Sequence, residues 1–314
     1  MSERLPDELR SDLARAVRLE WWTLGWMASV IALMAVVMGS SQAMRTAWIE
    51  DVLSLVPAIV LLVSVHFERK PADRHFPYGY DRVNSLAFVI AATALTLVGG
   101  LLLVESAVTL IKQEHVTIAP VTLFGHTFWQ GWLMVAALAY SIVPPVILGH
   151  LKLPLAKRLQ DKVLHTDALM QKADWMTGLA GIGGIVGLGL GWWWADAGAA
   201  LIISFSILHD GLKALRTATA ELVDGTPRAL DSAKLAEDAV RLEQALQRAY
   251  PSAEVRLRET GRFVHAQLLG VEPDAGADRA SLWPGPPERA WRFAQLSFAP
   301  PGDEPAYVGR LRSA

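Results

Sequence analysis

Two short stretches place ionisable groups inside otherwise apolar sequence. Glu50 and Asp51 sit side by side in WIEDVLSLVPAIVLLVSVHF (48–67), and Asp167, Lys172 and Asp174 lie in LHTDALMQKADWMTGLAGIGGIVGLGL (164–190). A charged side chain at bilayer depth costs at least about 2.5 kcal/mol, so such groups normally face a bundle interior and mark a pathway. Helical spacing sorts them into pairs. Glu50 and Ser54 are four apart and share a face, Met170 and Asp174 do the same, and Asp167, Gln171 and Asp174 form an adjacent stripe. If the two helices run antiparallel, the pairs converge into a four-sided cage of oxygen and thioether donors, which suits a divalent cation. Pro57 has no N–H to give the Leu53 carbonyl, so that oxygen is freed close to Glu50 and Ser54. The competing reading is that Glu50, Asp51 and Asp167, all near the ends of their spans, simply reach the interface. Asp174 fits that reading less well, and Lys172, two residues away, lies on a different face. Glu105, late in its own apolar run, stays open between the two as a charge or proton partner.

These groups need spanning helices to hold them. Of 314 residues, 52% are hydrophobic and 19% charged, and the mean hydropathy is +0.29. That is too apolar for an ordinary soluble domain and too charged for membrane alone, so a membrane domain with a solvated portion is expected. Six stretches reach the roughly 20 apolar residues that a bilayer demands: 21–40, 47–67, 84–111, 130–149, 167–190 and 192–213. GLGWWWAD separates the last two as a tight turn with interfacial tryptophans. From about 227 the pattern changes. ALDSAKLAEDAVRLEQALQRAY reads as an amphipathic helix, AEVRLRE and GRFVHAQLLG as two strands around a turn, and FAQLSFA as a final strand. The expected organisation is a charged amphipathic N-terminal segment (1–20), a six-helix transmembrane domain (21–215) and a C-terminal domain (216–314).

Basic residues orient the spans. Arg4, Arg10, Arg15 and Arg18 precede the first, Arg69, Lys70, Arg74 and Arg82 follow the second, and Lys152, Lys157, Arg158 and Lys162 follow the fourth; the opposite connections hold only Arg45 and Lys112. Both termini are therefore expected in the cytosol, the chain being multi-pass in the cytoplasmic membrane. The net charge of −2 gives no hint of nucleic-acid binding, and the absence of cysteine excludes disulfides and thiolate sites. No two histidines show a zinc-ligand spacing. No nucleophile–base pair, phosphate loop or metal-hydrolase motif argues for an enzyme. Gly183, Gly187 and Gly191 form a ridge expected to pack helices closely.

The loop RKPADRHFPYGYDRVNSLA (69–87) is similar to the loop that leads into span three in the cation diffusion facilitator family. LLLVESAVTLI, KADWMTG and DAGAALIISFSILHDGLKALRTATAELVDGTP resemble later family segments in order and spacing. The resemblance covers about 15–270. It implies an all-α membrane domain of six transmembrane helices plus a small cytosolic α+β, ferredoxin-like domain through which the chain dimerises. It implies alternating-access export of a divalent cation (Mn, Fe or Zn) in exchange for protons, with no resident cofactor. The family's usual metal pairs on spans two and five fall on Glu50 and Ser54, and on Met170 and Asp174. Ser54 and Met170 replace two of four customary ligands, so the site shifts from zinc toward harder ions. Asp51, Gln171 or Lys172 could complete it, Lys172 as a tethered charge or proton carrier. The same replacements motivate an alternative, a non-transporting partner or regulator of a related transporter.

Overall fold

The computed structural model describes residues 5–37, 48, 51–113, 120–123, 126–274 and 276–300. Glu50 and Arg45 lie outside the described residues. Six long helices dominate: α1 (Asp7–Val37), α2 (Val56–Glu68), α3 (Arg82–Lys112), α4 (Gln130–Leu159), α5 (Lys162–Gly189) and α6 (Ala195–Leu222). Four stretches among the described residues are long and apolar enough to cross a bilayer: Asp51–Glu68, Arg82–Lys112, Gly131–Leu159 and Ala197–Leu222. A short hairpin, β1 (Pro120–Leu123) with β2 (His126–Trp129), lies in the connection before α4.

Local chemistry sets the helix limits. Residues 51–53 are helical, the chain turns at Ser54–Leu55, and α2 then begins with Pro57 in its first turn. The proline expected to free the Leu53 carbonyl thus coincides with a break in the helix. Pro144, Pro145 and Pro154, in contrast, lie inside an α4 that continues to Leu159, ten residues past the expected span end. α5 starts behind Asp161, whose Oδ1 accepts the Leu164 N–H at 3.0 Å, an N-terminal cap. Between α5 and α6 the rings of Trp192 and Trp194 stack 6.5 Å apart in the expected turn.

Helices α1, α2, α4 and α5 pack around one another, and α3 pairs along its length with α6. Glycine explains that pairing. A Cβ placed on Gly99 would fall 2.5 Å from the Leu208 backbone nitrogen, and one on Gly211 would fall 2.8 Å from Thr96 Cα, so the two backbones touch. The expected glycine ridge is not the packing device. Nothing lies within 4 Å of a Cβ on Gly183, Gly191 sits in the turn past the end of α5, and only Gly187 meets a neighbour closely, Ala195 Cβ at 2.6 Å.

Beyond α6, α7 (Glu237–Ala249) buries Leu242 and Leu246 against a three-stranded sheet of β3 (Glu254–Thr260), β4 (Phe263–Leu269) and β5 (Phe293–Ala299). The helix expected from residue 229 begins at 237, because residues 228–235 fold into a loop closed by an Arg228–Leu235 bridge. β3 and β4 are antiparallel and β5 is parallel to β4. Among its described residues the intervening crossover holds only a four-residue helix, α8 (Arg279–Leu282), and a 3-10 turn (Pro287–Arg292).

The β3–β4 turn is plugged into the ends of the long helices. Gly261 fits there because a Cβ would lie 2.8 Å from the Asp81 carbonyl oxygen, and its N–H donates to Ser85 Oγ at 2.9 Å. Arg262, 1% exposed, donates to Glu68 Oε2 on α2 at 2.7 Å and through Nε to Asp161 Oδ2 at 2.9 Å. Burial works against its charge, but Asp161 and Glu68 outweigh that and hold the guanidinium above its ordinary range. Lys162 binds Glu221 of α6 at 2.8 Å and also Glu259 of β3, while Arg292 reaches Glu259 at 3.0 Å. Arg82 pairs with Asp224 nearer the surface.

Removing one member of a buried pair strands the other. Arg262→Met is expected to cost about 3–5 kcal/mol, seen as a lower unfolding temperature in detergent and faster proteolysis around residues 225–262. An unchanged unfolding temperature would show that the seat contributes nothing to stability.

Candidate metal-transport site

The cage residues lie on α5 and at the break before α2. Ser54 is fully buried, and its hydroxyl donates to the Asp51 carbonyl at 2.9 Å. With its proton so committed, the oxygen keeps lone pairs for a cation. Met170 is also fully buried, in a cluster with Leu95, Val98 and Leu102 of α3 and Ile207 of α6; Leu53 and Val56, on either side of Ser54, pack against that same cluster. The Ser54 and Met170 segments therefore adjoin the same apolar cluster. Asp174 is half-buried one turn beyond Met170. Asp51 is half-buried at the start of its stretch, and Glu105 is half-buried on α3. The Glu50 position falls outside the described residues.

Gln171 and Lys172 part company. Gln171 is fully buried on the α4 side, with the Gly149 backbone alongside its Cβ, and neither its amide oxygen nor its amide nitrogen has a hydrogen-bond partner. Lys172 is exposed and lines a shallow pocket with Leu95, Ser206 and Asp210. Two residues along a helix turn a side chain through about 200°, which takes Lys172 to the face opposite Asp174.

The buried lysine is a different one. Lys152 of α4, counted above among the basic residues of a cytosolic connection, is 0% exposed. Its Nζ donates to Glu20 Oε2 of α1 at 2.8 Å and to Asp167 Oδ2 of α5 at 2.5 Å, both carboxylates being 0% exposed as well. Asp167 is thus buried and paired rather than reaching for the interface. The outer oxygens, Glu20 Oε1 and Asp167 Oδ1, accept no hydrogen bond. Asp167, Gln171 and Asp174 follow one another along α5, so the stripe read from sequence runs from this triad toward the cage. A charge flanked by apolar residues in HLKLPL and in RLEWW was the available signal; that the two meet across 132 residues was not.

The family-like loop has a definite job. Asp73 Oδ2 accepts the Tyr80 hydroxyl at 2.6 Å, and Oδ1 accepts the N–H groups of His75 and Phe76, each at 2.8 Å. Those bonds, the tyrosine's first, hold the Asp73 carboxyl below its usual range. The Phe76 and Tyr80 rings pack 4.8 Å apart over it. The loop is a folded hinge between α2 and α3. Among the described residues no three His, Asp or Glu side chains group as a metal site. In the sheet, His265 Nδ1 lies 2.9 Å from Gln295 Oε1.

The cation efflux transmembrane domain family matches residues 23–223. A "probable cation efflux system protein" of Mycobacterium tuberculosis is 27% identical over 278 residues, covering 87% of this chain and 77% of its own. The manganese efflux system protein MneS of Bacillus subtilis is 21% identical, over 59% of this chain and 60% of its own. The zinc transporter ZitB of Yersinia pseudotuberculosis is 28% identical, over 57% and 53%. With the long apolar helices, the small C-terminal sheet and a family match over most of its length, this chain is a membrane protein of the cation diffusion facilitator family of cation efflux transporters.

Proposed function

We propose that the protein exports a divalent cation from the cytosol in exchange for protons, by alternating access across the cytoplasmic membrane. All six long helices span in this reading, α1 and α5 joining the four that qualify on length and hydropathy. Both termini and the sheet, with a boundary near residue 215, lie on the cytosolic side. The chain works as a homodimer. Glu50, Ser54, Met170 and Asp174 hold the ion, Asp51 stands as an outer carboxylate, and Gln171 lines the approach. Glu105 and Lys172 belong to other helix faces and take no part in coordination.

The observation that carries this reading is that Ser54 and Met170, both fully buried donors, adjoin one apolar cluster: Met170 belongs to it, and Leu53 and Val56 on either side of Ser54 pack against it. Two carboxylates, a hydroxyl and a thioether without imidazole favour a hard ion, Mn²⁺ ahead of Zn²⁺. A manganese exporter among the relatives supports that order, although a zinc transporter is also among them. The carboxylates bind the ion when deprotonated and release it when protons arrive from outside.

Proteoliposomes loaded with a metal-sensitive dye give the test. Asp174→Asn is expected to lower Mn²⁺ flux at least about 10-fold; full flux would remove Asp174 from the site. Met170→His is expected to raise the Zn²⁺ to Mn²⁺ transport ratio by about 10-fold or more, and an unchanged ratio would place Met170 away from the ion. Unaltered protein that moves no metal at all, yet copurifies with a related transporter, would favour the role of non-transporting partner.

A further inference from the structure

We infer that Glu20, Lys152 and Asp167 form a second proton-binding site of the exchanger, beside the cage carboxylates. The inference rests on the proton-exchange reading above and adds a proton held outside the metal site. Three ionisable side chains, each 0% exposed, meet where α1, α4 and α5 pack together. One ammonium cannot neutralise two carboxylates. Fully ionised, the triad carries one surplus negative charge in a closed interior, where a unit charge at about 4 Å is worth about 4 kcal/mol even at an effective dielectric of 20. Two carboxylates sharing one site respond by keeping a proton on one of them. Geometry leaves room for it, because Glu20 Oε1 and Asp167 Oδ1 have no hydrogen-bond partner.

The surroundings fit a proton better than a second metal ion. Lys152 already occupies the space between the carboxylates as a fixed cation, so a divalent ion would meet its repulsion. The other charges facing the triad are themselves engaged. Asp161, at the start of α5, acts electrostatically on Glu20 but is tied to Arg262, which also ties Glu68 of α2; on the outer side of α1, Asp12 pairs with Arg158 of α4. One turn further along α5, the buried Gln171 amide holds an unpartnered donor and an unpartnered acceptor. The proton step is a simple transfer: a proton binds one carboxylate oxygen of the triad when the metal leaves Asp174, and departs to the cytosol when metal rebinds. The proton's arrival offsets one of the two positive charges that leave with the metal.

The test uses the full chain in proteoliposomes, with internal pH and Mn²⁺ read together. In Glu20→Gln and in Asp167→Asn, Mn²⁺/Mn²⁺ counterflow without a pH gradient is expected to stay within about twofold of the unaltered protein, while the acceleration by an imposed pH gradient falls at least about 10-fold. The pH profile of flux should flatten, and Glu20→Asp should restore its shape. Unaltered coupling in both variants would overturn the inference while leaving the exchange reading intact. Counterflow lost in parallel with coupling would also overturn it, showing a structural triad. Metal flux without proton movement in the unaltered protein would instead sink the exchange reading, and this inference with it.

Discussion

A charge taken out of water must be met by another, and that constraint organises this molecule. Glu68, Asp161, Lys162, Glu221, Glu259, Arg262 and Arg292 are all buried at one end of the helices. None could remain there alone, since each isolated ion would cost several kcal/mol. Together they draw α2, α5, α6, β3 and the β3–β4 turn to one point. The same rule acts inside the bundle, where Lys152 is tolerable only because Glu20 and Asp167 come from two other helices to meet it.

The two buried groupings share an element. Asp161 caps α5 with one oxygen and grips Arg262 with the other, and Asp167, Met170, Gln171 and Asp174 follow on the same helix. Glu68 closes α2, whose opposite end opens at the Ser54–Leu55 break. The helix that carries Met170 and Asp174 and the helix that follows Ser54 are therefore the helices to which the sheet is bound. The β3–β4 turn and the candidate site share the same two rods.

Patterns with short sequence reach were legible. Hydropathy located the helices and period-two alternation located β3, β4 and β5, because burial of one face leaves its mark within a few residues. Pro57 marked the break before α2 for a local reason as well. The stripe Asp167–Gln171–Asp174 was readable from helical spacing, but the partners of its members were not. Asp167 looked like an interface charge and Lys152 like a loop charge, since nothing within several residues of either names Glu20. Arg262 read as an ordinary strand-turn residue, while its carboxylates lie 101 and 194 positions away. Glycine misled for the same reason. A regular spacing on α5 drew notice, whereas the glycines that admit the neighbouring helix's backbone, Gly99 and Gly211, lie on separate helices with no spacing pattern to link them. Lys172 shows the converse: near the right residues in sequence, it is carried to another face by the turn of the helix.

The touching backbones of α3 and α6 set how this bundle can deform. With no side chain between Gly99 and Leu208 or between Gly211 and Thr96, the two main chains bear on each other directly at those points. The spacing of α3 and α6 is set there by main chain rather than by side-chain size, which leaves that seam little freedom to close or spread.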